Sequence, residues 1–306
     1  MFVVSAKDAA SAGPAGDPIR APDRLYAGYV FDLDGTIYLG SELLPGASRL
    51  VQALRDMERE VVFVSNNPTR DPEDYSTKLS DLGIPTQPSD VINTVVTTTE
   101  WLVTNAPEAT VFPISEEPLK RALREHHIRM SEDPAEIDIV IASYDRQFEY
   151  RKLQIAFDAI RGPRRARLLA TNPDRFCPVP HGHGEPDAAA ITAAVEACTA
   201  VRCELHFGKP GPVMLEAIAN ALELAPEDCV LTGDRMTTDI RAAHEASMAS
   251  ALVLSGETDA SALAAIPAGE RPDYVLDRVD RLMPAERWQE LGWGEDHVDF
   301  DRSVRN

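Results

Sequence analysis

The chain lacks the features that would tie it to a membrane or to nucleic acid. Its 306 residues contain no run near the ~18 uninterrupted apolar residues that a bilayer span requires. Basic side chains are scarce: 30 lysines and arginines stand against 50 aspartates and glutamates, for a formal charge of −20. Phosphate contacts need a basic face, so this balance excludes a nucleic-acid binder. Four cysteines (Cys177, Cys198, Cys203, Cys229) form neither a CxxC pair nor a zinc spacing. Thiols scattered in this way predict a reducing, cytoplasmic compartment. The first apolar stretch is too short for a signal peptide, so residues 1–21 read as a flexible tail. Apolar residues, at 44%, suffice for a sizeable core, and the length predicts one large or two modest domains.

What is present is an alternation of short apolar runs and helical periods. Tyr29-Val30-Phe31 leads into DLDGT, Val61 to Val64 into SNN, Leu205 to Phe207 into GKP, and Cys229 to Thr232 into GDR. Between the first two runs, Leu50, Val51, Leu54 and Met57 mark one helical face. Such alternation predicts an α/β fold with a parallel, Rossmann-like sheet covered by helices, and ligands at the carboxyl ends of its strands. Ser65 and Lys209 stand 144 positions apart, far more than one crossover needs. The intervening runs 109–115, 137–143 and 167–173 predict three more strands, separated by helices near 117–126 and 150–161. The expected organisation is therefore a core over 22–105 and 187–285 and an inserted α/β cap over 106–186. After GDR we expect a helix at 237–247, strands at 251–256 and 273–276, and a C-terminal extension over 286–306 carrying Trp288 and Trp293.

Four polar clusters fall at strand ends. In FDLDGTIY, Asp32 and Asp34 are two apart, so on an extended strand end both carboxylates face one way. Such a pair repels unless a cation intervenes, and a hard divalent ion such as Mg²⁺ prefers oxygen ligands. A bare DxDG also suits a solvated turn; a buried strand before it favours the site. Ser65, Asn66 and Asn67 offer a hydroxyl and backbone N–H groups as a phosphate seat, although turns commonly use the same residues. Lys209 is one of only five lysines among the thirty basic residues, and a point charge there suits a phosphoryl oxygen or a carboxylate pair. In LTGDRMTTDI, Asp234 would complete a metal site with Asp32. Asp239 would stand behind it or simply favour a helix N-terminus. His181, His183, His126 and His127 have no third spaced ligand and read as loop residues.

In this order and at these positions, DLDGT, SNN, GKP and GDRMTTD resemble the haloacid dehalogenase-like phosphatases. The long insertion after SNN resembles their type IIA branch, and LPGA (44–47), TNPD (171–174), the helix start at 187–197 and PDYVLD (272–277) extend the likeness over about residues 25–280. The resemblance implies Asp32 as a nucleophile forming an aspartyl-phosphate and Asp34 as general acid and then base. It implies Ser65, Asn66 and Lys209 around the transferring phosphoryl group, and Asp32, the Asp34 carbonyl and Asp234 around Mg²⁺. Tyr144, Asp174 and Arg175, at the ends of expected cap strands, are candidates for substrate contact. A capped chamber and a charge of −20 favour a small phosphorylated metabolite, and the hydroxyl, carboxylate and guanidinium groups favour a sugar or polyol phosphate. A nucleoside monophosphatase on the same core is the alternative, with Phe176 the nearby aromatic platform. A non-catalytic phosphate-binding receiver is disfavoured by the insertion. Capped relatives pair through their caps, which implies a homodimer of that kind.

Overall fold

The computed structural model describes residues 19–179 and 183–294. Residues 1–18 of the expected tail, 295–306 of the extension, and His181 lie outside them. Six parallel strands form the core sheet, in the spatial order Tyr274–Leu276, Ala249–Val253, Cys229–Gly233, Gly28–Asp32, Glu60–Ser65 and Val91–Asn93. The period of two along the central strands sorts their side chains between two helical layers. Tyr29, Phe31 and Phe63 pack under Leu50, Val51 and Leu54 of helix Ala47–Asp56. Val30, Val62 and Leu231 face the other way, onto Met214, Ile218 and Leu222 of helix Pro212–Leu222. Both faces are thus buried, as a parallel sheet requires.

A second parallel sheet has the order Leu205–His206, Arg167–Ala170, Ile139–Ala142, Thr110–Ile114 and Arg129–Met130. The boundary expected at 186/187 cuts through this layer. Ile191 and Val195 of helix Ala188–Thr199 pack on Val140, Ala142 and Leu168 of the second sheet. Leu205 and His206 then add a fifth strand beside Leu169 and Ala170. The helix was assigned to the core because its apolar pattern does not say which sheet it covers. A hairpin of Phe176–Val179 and His183–Pro186 projects from this layer.

Two further differences are local. The strand expected at 251–256 runs Ala249–Val253. The helix expected at 237–247 begins as a wide π turn, Met236–Ile240, before the α-helix Arg241–Glu245. At the C-terminal end, Trp288 of helix Ala285–Glu290 meets Trp293 edge to face at 5.6 Å. The Arg49 guanidinium lies 4.8 and 4.6 Å from their ring centres.

Candidate active site

The carboxyl ends of the central core strands converge below the second sheet. Asp32 ends its strand, and the chain turns at Gly35, whose φ is +91°. A Cβ at Gly35 would lie 2.6 Å from Asp234 Oδ2, so glycine serves both the turn and the approach of the two loops. Asp234 follows the strand Cys229–Gly233, and the π turn carries Asp239 back towards the sheet, where its Oδ2 accepts from Arg235 N at 3.0 Å. Ligand atoms of Asp32, Asp234 and Asp239 all lie within 4.8 Å of one another.

Lys209 reaches into this group. Its Nζ donates to Asp32 Oδ1 at 2.5 Å and lies 2.7 Å from Asp239 Oδ1, with the side chain only 1% exposed. One cation among three carboxylates leaves an excess of negative charge, and the titrations respond together. Burial pushes Asp32 well above the usual carboxylate range, and although Lys209 opposes this, Asp239 and Asp234 add to it. Burial likewise carries Asp234 to about 7, with Asp239 the next cause. For Lys209, burial favours the neutral amine, but Asp239 and Asp32 outweigh it and raise the ammonium. Asp234 Oδ1 is buried without a hydrogen-bond partner. An orphaned carboxylate oxygen beside two further acids fits a hard divalent cation.

The Asp34 side chain is placed differently. Its Oδ2 accepts from Tyr38 OH at 3.3 Å, and the described residues hold its carboxylate outside the three-acid group. Burial raises its pKa, against the pull of Lys78 and the Tyr38 hydrogen bond.

The SNN segment divides its labour. Ser65 Oγ, 3.1 Å from Tyr75 OH, lines the cleft. Asn66 lines it too, but its amide is already committed. Nδ2 donates to the Lys209 carbonyl and to Asp174 Oδ2, both at 3.0 Å, while Oδ1 accepts from Lys209 N at 2.7 Å. Its side chain therefore holds loops in place and has no donor left for a phosphoryl oxygen. Asp174 is the expected cap residue that does enter the cleft; besides Asn66 it accepts from Arg235 Nη1 at 3.1 Å. Tyr144 is buried, bonds to Glu185 and lines a neighbouring cavity that meets the cleft at Asp34, Asn67 and Cys177. Arg175 is exposed and, with Phe176, lines a groove that meets the cleft at Asp174, Arg235 and Thr238.

Reading motifs alone missed Arg235, Asp187 and Cys177 as lining residues. Arg235 stood inside GDRMTTD, where a lone arginine between two aspartates was the available signal. Asp187 caps helix Ala188–Thr199, donating no proton but accepting from Ala188 N at 2.6 Å, and burial foremost pushes it to about 7. The cleft itself is narrow, with a volume of about 40 Å³, and it opens into the neighbouring cavity at Asp34, Asn67 and Cys177.

The site can be set beside known proteins. The family model of haloacid dehalogenase-like hydrolases matches residues 29–129, and a HAD-hydrolase-like model matches residues 206–282. The chain is 34% identical over 257 residues to the sugar-phosphatase AraL of Bacillus subtilis, covering 83% of this chain and 90% of that protein. It is 30% identical to a dihydroxyacetone phosphatase of Corynebacterium glutamicum, over 88% of this chain and 95% of that protein. Among solved structures, a 4-nitrophenylphosphatase from Thermotoga maritima superposes with a TM-score of 0.78 at 29% identity, over 84% of this chain and 96% of that one. The chain belongs to the haloacid dehalogenase-like hydrolases, in their capped type IIA branch, and is a phosphoric monoester hydrolase.

Proposed function

We propose that the protein is a Mg²⁺-dependent phosphomonoesterase of small sugar or polyol phosphates, working through an aspartyl-phosphate on Asp32. The observation that carries this reading is the Asp32 carboxylate held by Lys209 at 2.5 Å beside the unpartnered Asp234 Oδ1. Asp32, Asp234 and the Asp34 carbonyl would hold the ion, which supplies charge neutralisation to the phosphoryl oxygens when bound. Asp32 attacks phosphorus, and the ester P–O bond breaks as the departing oxygen takes the Asp34 proton. Asp34 then accepts a proton from water, whose oxygen attacks the aspartyl-phosphate, releasing inorganic phosphate and restoring Asp32. The elevated pKa of Asp34 supports its acid role. Lys209 holds Asp32 in line and neutralises charge gathering on the phosphoryl group.

Support for a polyhydroxylated leaving group comes from the lining. Asn67 and Asp187 face the cleft, and the Tyr144–Glu185 pair faces the adjoining cavity. Phe176, the ring that would stack a nucleobase, lines a groove that meets the cleft at Asp174, Arg235 and Thr238 and does not include Asp34. The similar proteins include sugar and dihydroxyacetone phosphatases as well as a 5'-nucleotidase of Bacillus subtilis at 30% identity. The four free thiols are consistent with a cytoplasmic enzyme. The test is a phosphate-release panel of sugar, glycerol and nucleoside monophosphates with Mg²⁺, alongside Asp32→Asn. A sugar or polyol phosphate should lead in kcat/KM, and Asp32→Asn should abolish release while keeping the fold. A nucleotide leading by about tenfold would replace the substrate assignment, and substantial turnover by Asp32→Asn would remove the nucleophile.

A further inference from the structure

The cavity beside the cleft holds two cations that nothing in the proposed reaction uses. Lys78, on helix Pro72–Asp81, is half-buried with its Nζ 3.2 Å from the centre of the Tyr38 ring. Arg70 stands just before that helix, its backbone fixed where Asn93 Nδ2 donates to the Arg70 carbonyl at 2.8 Å. Both line the same cavity. No carboxylate among the described residues forms an ion pair with either side chain, in a chain with twenty more acidic than basic residues. The two also repel each other: burial brings Lys78 down to about 8, Asp34 opposes this, and Arg70 adds a smaller push in the same direction as burial. Asp34 offsets part of the Lys78 charge without forming an ion pair with it, and Arg70 works against that, so neither cation is held in place by a salt bridge of its own.

We propose that Lys78 and Arg70 form an anion subsite for the leaving group, so that preferred substrates carry a carboxylate or a second phosphate on the fragment released. The inference rests on the phosphomonoesterase reading and narrows its substrate class. Asp34 links the two spaces, lining both the cleft and this cavity. Because Asp34 protonates the departing oxygen, the fragment bearing that oxygen leaves on its side. An anion on the leaving group supplies the missing partner, and the planar arginine fork with a lysine point charge suits carboxylate and phosphate oxygens alike.

The other charged groups around the cavity leave this role to the same pair. Arg146, on the cap side, is held in a fork by Glu116 at 2.6 and 2.7 Å, and Glu185 lies 3.7 Å from it. Asp74 and Asp81 also line the cavity and are exposed to water, as Arg70 is, and neither forms an ion pair with Lys78 or Arg70. Tyr38 gives Lys78 a π face in place of a carboxylate, keeping the ammonium oriented without neutralising it.

The experiment compares esters that differ in the charge of the released fragment: phosphoglycerate with glycerol phosphate, and a fructose bisphosphate with a fructose monophosphate. Wild-type enzyme should favour the charged member of at least one pair by about tenfold in kcat/KM, chiefly through KM. The favoured pair tells whether the subsite takes a carboxylate or a phosphate. In Lys78→Met and Arg70→Gln that ratio should fall towards one, and Lys78→Arg should keep most of it. Taking ratios within each variant removes any common effect on Asp34, and circular dichroism checks the fold. A wild-type ratio near one in both pairs, or a ratio unchanged in both charge-removing variants, overturns the subsite. Absence of Mg²⁺-dependent release from every ester, p-nitrophenyl phosphate included, would instead overturn the phosphomonoesterase reading and the subsite with it.

Discussion

Replacing Lys209 with methionine tests whether the buried cation holds the site together. The methionine side chain keeps most of the lysine stem, so the packing loss should stay below ~1.5 kcal/mol. The charge loss is larger. Lys209 lies 2.5 Å from Asp32 and 2.7 Å from Asp239, and removing it leaves these carboxylates buried without their shared partner. Breaking a buried pair from one side costs ~3–5 kcal/mol, so electrostatics should dominate over packing. The cost should depend on pH with a definite sign. Burial already raises Asp32 in the native protein, and losing the ammonium raises it further. A group whose folded pKa exceeds its unfolded value stabilises at low pH and loses that contribution as pH rises. The variant should therefore be most handicapped in alkaline buffer and recover as its carboxylates take up protons. Urea unfolding of metal-free protein, followed by tryptophan fluorescence, measures this at about pH 5 and about pH 8. Added Mg²⁺ should restore part of the lost stability while phosphate release stays down by at least ~10²-fold. A destabilisation below ~1 kcal/mol that is equal at both pH values would refute the reasoning.

Gly256→Ala should weaken Mg²⁺ activation, because the added Cβ would lie 2.0 Å from Asp234 Oδ2 and must displace that carboxylate; the half-activating Mg²⁺ concentration should rise by ~10-fold or more, and an unchanged activation curve would contradict this. Metal-free protein should melt at lower temperature as pH rises through about 7, since Asp234 and Asp187 are both pushed there by burial and lie above their unfolded values. Because the ion needs ionised ligands, Mg²⁺ should raise the melting temperature more at about pH 8 than at about pH 5, and a flat or inverted profile by scanning calorimetry would count against the site.

The central strands and the motif positions were legible because strand, turn and carboxylate follow each other within a few residues. Asp32, Ser65 and Lys209 reach one cleft, with Asp234 beside Asp32, for that local reason, and Lys209 was conspicuous as a lysine in an arginine-rich chain. What depended on distant packing was not legible. Helix Ala188–Thr199 has an alanine-rich apolar pattern that suits either sheet, and only Ile191 and Val195 meeting Val140 and Leu168 assign it to the second. Asn66 is expected at the phosphate because SNN offers a hydroxyl and backbone N–H groups at a strand end; the three bonds that commit its side chain to holding loops arise from residues more than a hundred positions away. The π turn was equally hidden, since its sequence satisfies an ordinary helical period. Arg70 and Lys78 became notable only when the structure showed what does not surround them.

The commitments of Asn66 bear on how this protein could be recombined with its relatives. Its carbonyl accepts from Asn172 Nδ2 at 2.9 Å, while its amide ties Asp174 to the Lys209 loop. The segment 172–174 therefore belongs to the upper layer by chain and to the lower layer by bonding. A chimera that exchanges the upper layer wholesale would import a foreign version of those bonds and loosen the lysine loop even if every residue of the lower layer were retained. Splice points that leave Asn172 and Asp174 native, and that move helix Ala188–Thr199 and strand Leu205–His206 with the sheet they pack on, would move specificity without dismantling the chemistry beneath it.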